Sequence, residues 1–191
     1  QLGFLQPALQ RLQLLGEHNR RNALAAIAAA HHAGVAVDDA VDALASFNGV
    51  KRRMEVIFES EAVTVYDDFA HHPTAIATTL AGLREAVGRD LVLAVVEPAS
   101  HTMRRGTHGD ALAEATAGAD EVIWFRPNDL AWDPATYNNA TSVHGDAEAL
   151  LEACLQSIDR GMRHVVVMSN GGFGGFHQRL VQALEEGSTK T

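Results

Sequence analysis

Apolar positions keep a helical period up to about residue 48, strand-like runs appear only beyond it, and this change divides the chain. Before that point they recur at helical spacing. Asn22 to His32 is a run of Ala, Leu and Ile that stops at Gly34, the arrangement of a helix with a glycine just past its end. Asp38 to Phe47 sets Val41, Leu44 and Ala45 on one face, with Asp38 as the expected N-cap. Gln1 to Gly16 carries Phe4, Leu5, Leu9, Leu12 and Leu15, too loosely spaced for more than an irregular segment or a short helix. At Asn48-Gly49 the helical signal ends and strand-like runs begin, so the domain boundary is expected there.

Past the boundary, Met54 to Phe58 and Val63 to Tyr66 read as strands joined by a polar turn at Glu59 to Glu61, a hairpin-like pair. Helical and strand-like segments then alternate: helix Pro73 to Val87, strand Leu91 to Val96, helix Gly109 to Ala117, strand Glu121 to Phe125, helix Ala147 to Ile158, strand His164 to Met168 and helix Phe176 to Leu184. This order predicts right-handed βαβ units and an α/β fold with a mostly parallel sheet. Val165 to Met168 is apolar throughout, as a strand covered on both faces requires. Pro127 to Ser142 shows no period and reads as a long excursion loop.

Composition narrows the partners. A chain of 191 residues can bury its own core, and a net charge of −9 argues against duplex nucleic acid as a partner. Two local basic groups, Lys51-Arg52-Arg53 and Arg104-Arg105, remain able to meet phosphates. Cys154 is the only cysteine and lies in an apolar helical run, so it is expected to pack as a small hydrophobe. No stretch has the length of a membrane span, which leaves a soluble protein of a reducing, cytoplasmic compartment as the expectation. The first residue is Gln1 and no signal segment precedes the fold, so the chain reads as a piece of something longer.

Candidate chemistry gathers where strands end. Val65 to Pro73 empties a strand into Asp67, Asp68, His71 and His72 before Pro73 opens a helix. Open α/β sheets bind ligands at such carboxyl ends, although a solvated turn with a helix N-cap has the same pattern. Glu97 to Gly106 follows the next strand with Ser100, His101, Thr102 and Arg104, groups suited to a carboxylate or phosphate or simply to a polar loop. Ser169, Asn170, Gly171 and Gly172 open a glycine-rich turn that offers backbone N–H groups to an anion or merely turns tightly. Asn19 and Asn22, three apart at a helix start, present paired amides, unless one is the N-cap. The ten histidines lack zinc-like spacing, and no metal site is expected from them.

Taken in order, Gly16-Glu17-His18-Asn19 with Asn22-Ala23-Leu24, Gly49 to Glu55, Tyr66 to Pro73 and Ser169 to Gly175 resemble the Mur ligase family, over about Leu14 to Leu184. The resemblance implies a Rossmann-like C-terminal domain at 49–187 and a helical remnant of the central ATPase domain at 1–48, and residues 188–191 are expected to be a disordered tail. The Asp-Asp-Phe-Ala-His-His-Pro and Ser-Asn-Gly-Gly-Phe-Gly-Gly strings are most similar to the branch that joins a murein tripeptide to UDP-N-acetylmuramate in peptidoglycan recycling. The branch that adds L-alanine and a non-enzymatic nucleotide- or peptide-binding module are the alternatives.

In this family ATP phosphorylates a carboxylate and an amine displaces phosphate from the acyl phosphate. By that analogy Asn19 and Asn22 would contact adenine, Arg53 a nucleotide phosphate and Asp68 the ribose hydroxyls, with Asp67, His71 and His72 nearby. Ser100, His101, Thr102, Arg104 and Ser169 to Gly172 would receive the peptide. Ala99 and His101 depart from the Arg and Asn of the tripeptide branch. The phosphate loop and the Mg2+ ligands of the family have no counterpart here, so the chain alone is expected to be inactive.

Overall fold

A computed structural model describes residues 16–47, 49–137 and 139–188, in two units, Gln1–Val50 and Lys51–Thr191. The apolar positions expected to form a face before Gly16, and residues 189–191 of the expected tail, lie outside the described residues. Ser188 still belongs to the last helix.

The first unit contains helices α1 (Glu17–His32) and α2 (Val37–Ala45). Helix α1 starts at Glu17 rather than at Asn22, with Gly16 at its N-cap. A carboxylate in the first turn suits the positive end of the helix dipole, and Glu17 also meets Arg21 at 3.2 Å and Arg20 at 3.6 Å. Neither Asn19 nor Asn22 caps the helix. Ala23 and Ile27, four apart, are its buried residues. At its other end Gly34 takes φ +94°, and the N–H of Val35 closes on the carbonyl of Ala30 at 3.0 Å. Ala36, not Asp38, precedes α2, and Asp38 and Asp39 sit in its first turn.

In the second unit six strands form one sheet: β1 (Glu55–Glu59), β2 (Thr64–Asp68), β3 (Val92–Val96), β4 (Glu121–Phe125), β5 (Ser142–His144) and β6 (His164–Met168). Their order is β1-β2-β6-β3-β4-β5. Among the described residues only the β1–β2 hairpin is antiparallel, with an irregularity between Val56 and Phe58; the other neighbours are parallel. The remaining helices are α3 (Pro73–Val87), α4 (His101–Arg104), α5 (Ala111–Ala115), α6 (Ala147–Asp159) and α7 (Phe176–Ser188).

Strand residues alternate between two packed faces. Val65, Val95, Val165 and Val167 join Leu150 and Cys154 of α6 and Phe176 and Leu180 of α7 in one core. The opposite face lies toward α3, whose Ile76, Leu80 and Leu83 are fully buried. Ala94, Val96, Val166, Met168 and Trp124 are inaccessible as well, as expected of central parallel strands.

Of the excursion expected at Pro127 to Ser142, the described residues 127–137 and 139–142 form a packed segment rather than a free loop, with a 3-10 turn at Pro134–Thr136. Trp132 donates its indole N–H to the carbonyl of Met103 at 2.6 Å, and Tyr137 donates to that of Gly109 at 2.7 Å. Both rings lie edge or tilted against each other and against Trp124. Strand β5 and helix α4, of three and four residues, are too short to carry a readable period.

Cys154 is fully buried, and desolvation pushes its thiol up to about 12. Thiolate is the reactive form, so the native protein should resist a thiol reagent at pH 8 and react stoichiometrically once urea unfolds it. Rapid native labelling followed by mass spectrometry would contradict this packing.

Candidate functional site

The carboxyl ends of β2, β6 and β3 lie side by side, so Asp67, Asp68, Ser169 and Glu97 share one rim of the sheet. Neighbouring residues on a strand point to opposite faces, and the two aspartates accordingly serve different surroundings. Asp68 turns toward α3 and is 2% exposed. Its carboxylate accepts from the N–H of Met54 at 2.9 Å, the N–H of Ala70 at 2.8 Å and the hydroxyl of Thr79 at 3.2 Å. Burial raises its pKa, and these bonds and the charge of Arg53 oppose the rise. The carboxylate expected to receive ribose hydroxyls is therefore occupied by three protein donors in this structure.

Asp67 faces the other side, where it accepts from Nε of Arg52 at 3.2 and 3.3 Å. Nε2 of His177, on α7, lies 3.2 Å from Asp67 Oδ1. Burial holds this imidazole's pKa below its usual range; Asp67 opposes the shift and Arg52 adds to it. Arg52, Asp67 and His177 line a cleft of about 480 Å³ with Lys51, Glu55 and Gly171.

Arg52 reaches across the rim. Its Nη2 donates to the carbonyl of Ser169 at 2.6 Å, and its guanidinium lies 5.2 Å from the centre of the Phe69 ring. Arg53 is exposed, with its guanidinium 5.5 Å from the same ring. His71 packs edge-on against Phe69 at 5.2 Å and bonds through Nδ1 to the carbonyl of Phe69 at 2.9 Å. His72 is the N-cap of α3, accepting the N–H of Thr74 through Nδ1 at 3.3 Å, and its ring meets His108 at 4.7 Å. The N-cap alternative thus holds for His72.

The two loops proposed for a peptide touch. Ser169 donates its hydroxyl to Oε2 of buried Glu97 and accepts the N–H of Gly171 at 2.9 Å. A Cβ on Gly171 would lie 3.4 Å from Ala99 and 3.5 Å from Glu97. Nothing lies within 4 Å of the Cβ position of Gly172, and Oδ1 of Asn170 is buried without a partner. In the other loop Ser100 caps α4 through the N–H of Met103 and lies 3.2 Å from Thr102. His101 is exposed, whereas Arg104 turns to Asp129 at 2.6 Å. Asn19 and Asn22 share a face of α1 in the first unit. Sequence reasoning missed Arg52, Glu97, His108 and His177 as individual site residues. A basic triplet and a strand end pointed to the first two, and no spacing marked the histidines.

The profile of a family described as Mur ligase, glutamate ligase domain matches residues 52–171. The chain is 48% identical over 176 residues, 90% of its length and 38% of the relative's, to the UDP-N-acetylmuramate–L-alanyl-γ-D-glutamyl-meso-2,6-diaminoheptandioate ligase of Escherichia coli (strain K12). It is 38% identical to the UDP-N-acetylmuramate–L-alanine ligase of Mycolicibacterium vanbaalenii, over 61% of this chain and 25% of that one. Among solved structures, the murein peptide ligase of Psychrobacter arcticus aligns with a TM-score of 0.67 at 40% identity, covering 91% of this chain and 38% of that chain. The chain therefore spans less than two fifths of the length of these relatives.

Two substitutions test this geometry. Asp68→Asn places an amide N–H2 where at least one backbone N–H now donates, and should cost about 1–3 kcal/mol in a urea melt; an unchanged midpoint would show that those bonds are not made. For His177 the unfolded chain binds the proton more readily than the folded one. Stability present above the ordinary histidine value of about 6.5 is thus lost as the pH falls below it. His177→Gln should gain stability relative to the parent from about pH 7 to about pH 5, and parallel pH profiles would refute the buried neutral ring.

Proposed function

The chain belongs to the Mur ligase family, and from that membership we propose that it is the C-terminal part of an ATP-dependent ligase. The complete ligase joins L-alanyl-γ-D-glutamyl-meso-diaminopimelate to UDP-N-acetylmuramate, a reaction of peptidoglycan recycling that takes place in the cytoplasm. The observation that carries this reading is the 48% identity to a ligase of that name over nine tenths of this chain. The similarity to the L-alanine ligase is lower and covers less of the chain.

Chemically, the carboxylate of the UDP-sugar is phosphorylated by ATP, the amine of the incoming peptide attacks the acyl carbon, and phosphate leaves from the tetrahedral intermediate. Such a transfer needs a cation held at the phosphoryl group. Arg53 fits that need, because it is exposed, stacked on Phe69 and without an ion pair among the described residues. Asn19 and Asn22 meet adenine on this reading, and Asp67, His71 and His72 flank the nucleotide. Asp68 acts through the turn that it holds.

Ser100, His101 and Thr102 together with Ser169 to Gly172 receive the peptide; Arg104, committed to Asp129, shapes that loop. Among the described residues no three His, Cys, Asp or Glu side chains converge as around a metal ion, and the reading assigns Mg2+ no ligand here. Among those residues no helix is long and apolar enough to cross a membrane.

The test is ligation by the complete protein that carries this chain, with ATP, UDP-N-acetylmuramate and either the tripeptide or L-alanine. The tripeptide is expected to be the better substrate by kcat/KM, and Arg53→Ala is expected to raise the KM for ATP about ten-fold or more. Preference for L-alanine would transfer the chain to the other branch, and the absence of ligation with either amine would sink the reading.

A further inference from the structure

The turn that presents Arg53 is strained and tied down on both sides. Arg52 has φ +58° and Met54 φ +52°, a left-handed backbone at two residues that carry a Cβ. Such strain persists where surrounding bonds over-determine it, and it gathers at functional sites. Here the N–H of Arg52 donates to Glu55 at 2.8 Å, its carbonyl accepts the N–H of Phe69 at 2.8 Å, and the N–H of Met54 donates to Asp68 at 2.9 Å. Both flanks of Arg53 are therefore fixed to the end of β2.

The side chain of Arg52 is engaged beyond this turn. Its Nε meets both oxygens of Asp67, and its Nη2 meets the carbonyl of Ser169 at 2.6 Å. Ser169 opens the turn that contains Gly171 and Gly172 and is itself bound to Glu97. The side chain of Arg52 is 24% exposed and that of Asp67 12%, so the contact is partly shielded from water and ions.

We propose that Arg52 is a positioning residue that couples the nucleotide side of the site to the peptide side. Its backbone sets the turn of Arg53, and its guanidinium sets the Ser169 turn. The inference rests on the function proposed above. A phosphate on Arg53 favours the one arrangement of the turn in which Arg52 spans Asp67 and Ser169, which preorders Gly171 and Gly172 for the peptide. By linkage the peptide tightens the nucleotide equally. A planar fork is required, because a lysine carries one point charge and cannot hold a carboxylate and a carbonyl in fixed directions.

The experiment measures tripeptide affinity of the complete ligase with and without a non-hydrolysable ATP analogue. The wild-type protein should bind the peptide about five-fold or more tightly with the analogue present. In Arg52→Lys that ratio should fall to near one, with the KM values for ATP and tripeptide both raised and that for UDP-N-acetylmuramate unchanged. Asp67→Asn, which keeps the size and weakens the anchor, should give an intermediate ratio and carries the test if Arg52→Lys melts early. A wild-type ratio of one, a preserved ratio in both variants, or an effect confined to ATP would overturn the coupling. Loss of the functional reading itself is seen separately, as a wild-type protein that ligates neither amine.

Discussion

Adjacent side chains on a strand cannot share a face, and the site at the end of β2 is organised by that constraint. Asp67 and Asp68 are two carboxylates in sequence but never one pair in space. Each is taken out of water by a different means. Asp68 is inside the α3 face and is satisfied by neutral donors, two backbone N–H groups and a hydroxyl. Asp67 lies at the cleft and is satisfied by a cation. A carboxylate left without either would be costly to bury, so Arg52 and the Met54 turn are as necessary to the strand end as the strand end is to them.

Sheet order extends the same rim. Strand β6 is last in the chain but sits between β2 and β3, so Ser169 arrives between Asp68 and Glu97 from far along the sequence. The N–H of Ser169 donates to the carbonyl of Asp68, while that of Glu97 donates to the carbonyl of Met168. The strand ladders thus run one residue beyond the strands and hold three loops in register. A crevice where the chain reverses its direction of winding is where α/β sheets take ligands, and here the three loops that meet are the ones rich in hydroxyls, imidazoles and glycine.

Much of this was legible in the sequence because it depended on period. The strands His164–Met168 and Glu121–Phe125 and the helix Pro73–Val87 lie where apolar spacing and a proline put them. Short elements were not legible, since three residues of β5 complete no pattern that a loop could not share. Helix α1 began early because charge pairing, which apolar spacing ignores, supports its first turn. Within the site, the aspartates and the Ser169 turn stood out as residue types at strand ends. The opposite facing of the aspartates follows from alternation alone. The arrival of His177 at Asp67 did not, because it depends on how α7 packs across the sheet.

The basic triplet Lys51-Arg52-Arg53 shows why adjacency in sequence misleads about shared function. Three consecutive cations suggest one phosphate-binding patch, yet their commitments differ even though the guanidinium groups of Arg52 and Arg53 lie 5.2 and 5.5 Å from the centre of the same Phe69 ring. Arg52 is committed to Asp67 and Ser169, Arg53 lies over Phe69 at the surface, and Lys51 borders the cleft. The turn keeps one guanidinium as a brace between Asp67 and Ser169 and leaves the next at the surface over Phe69, where a ligand can meet it.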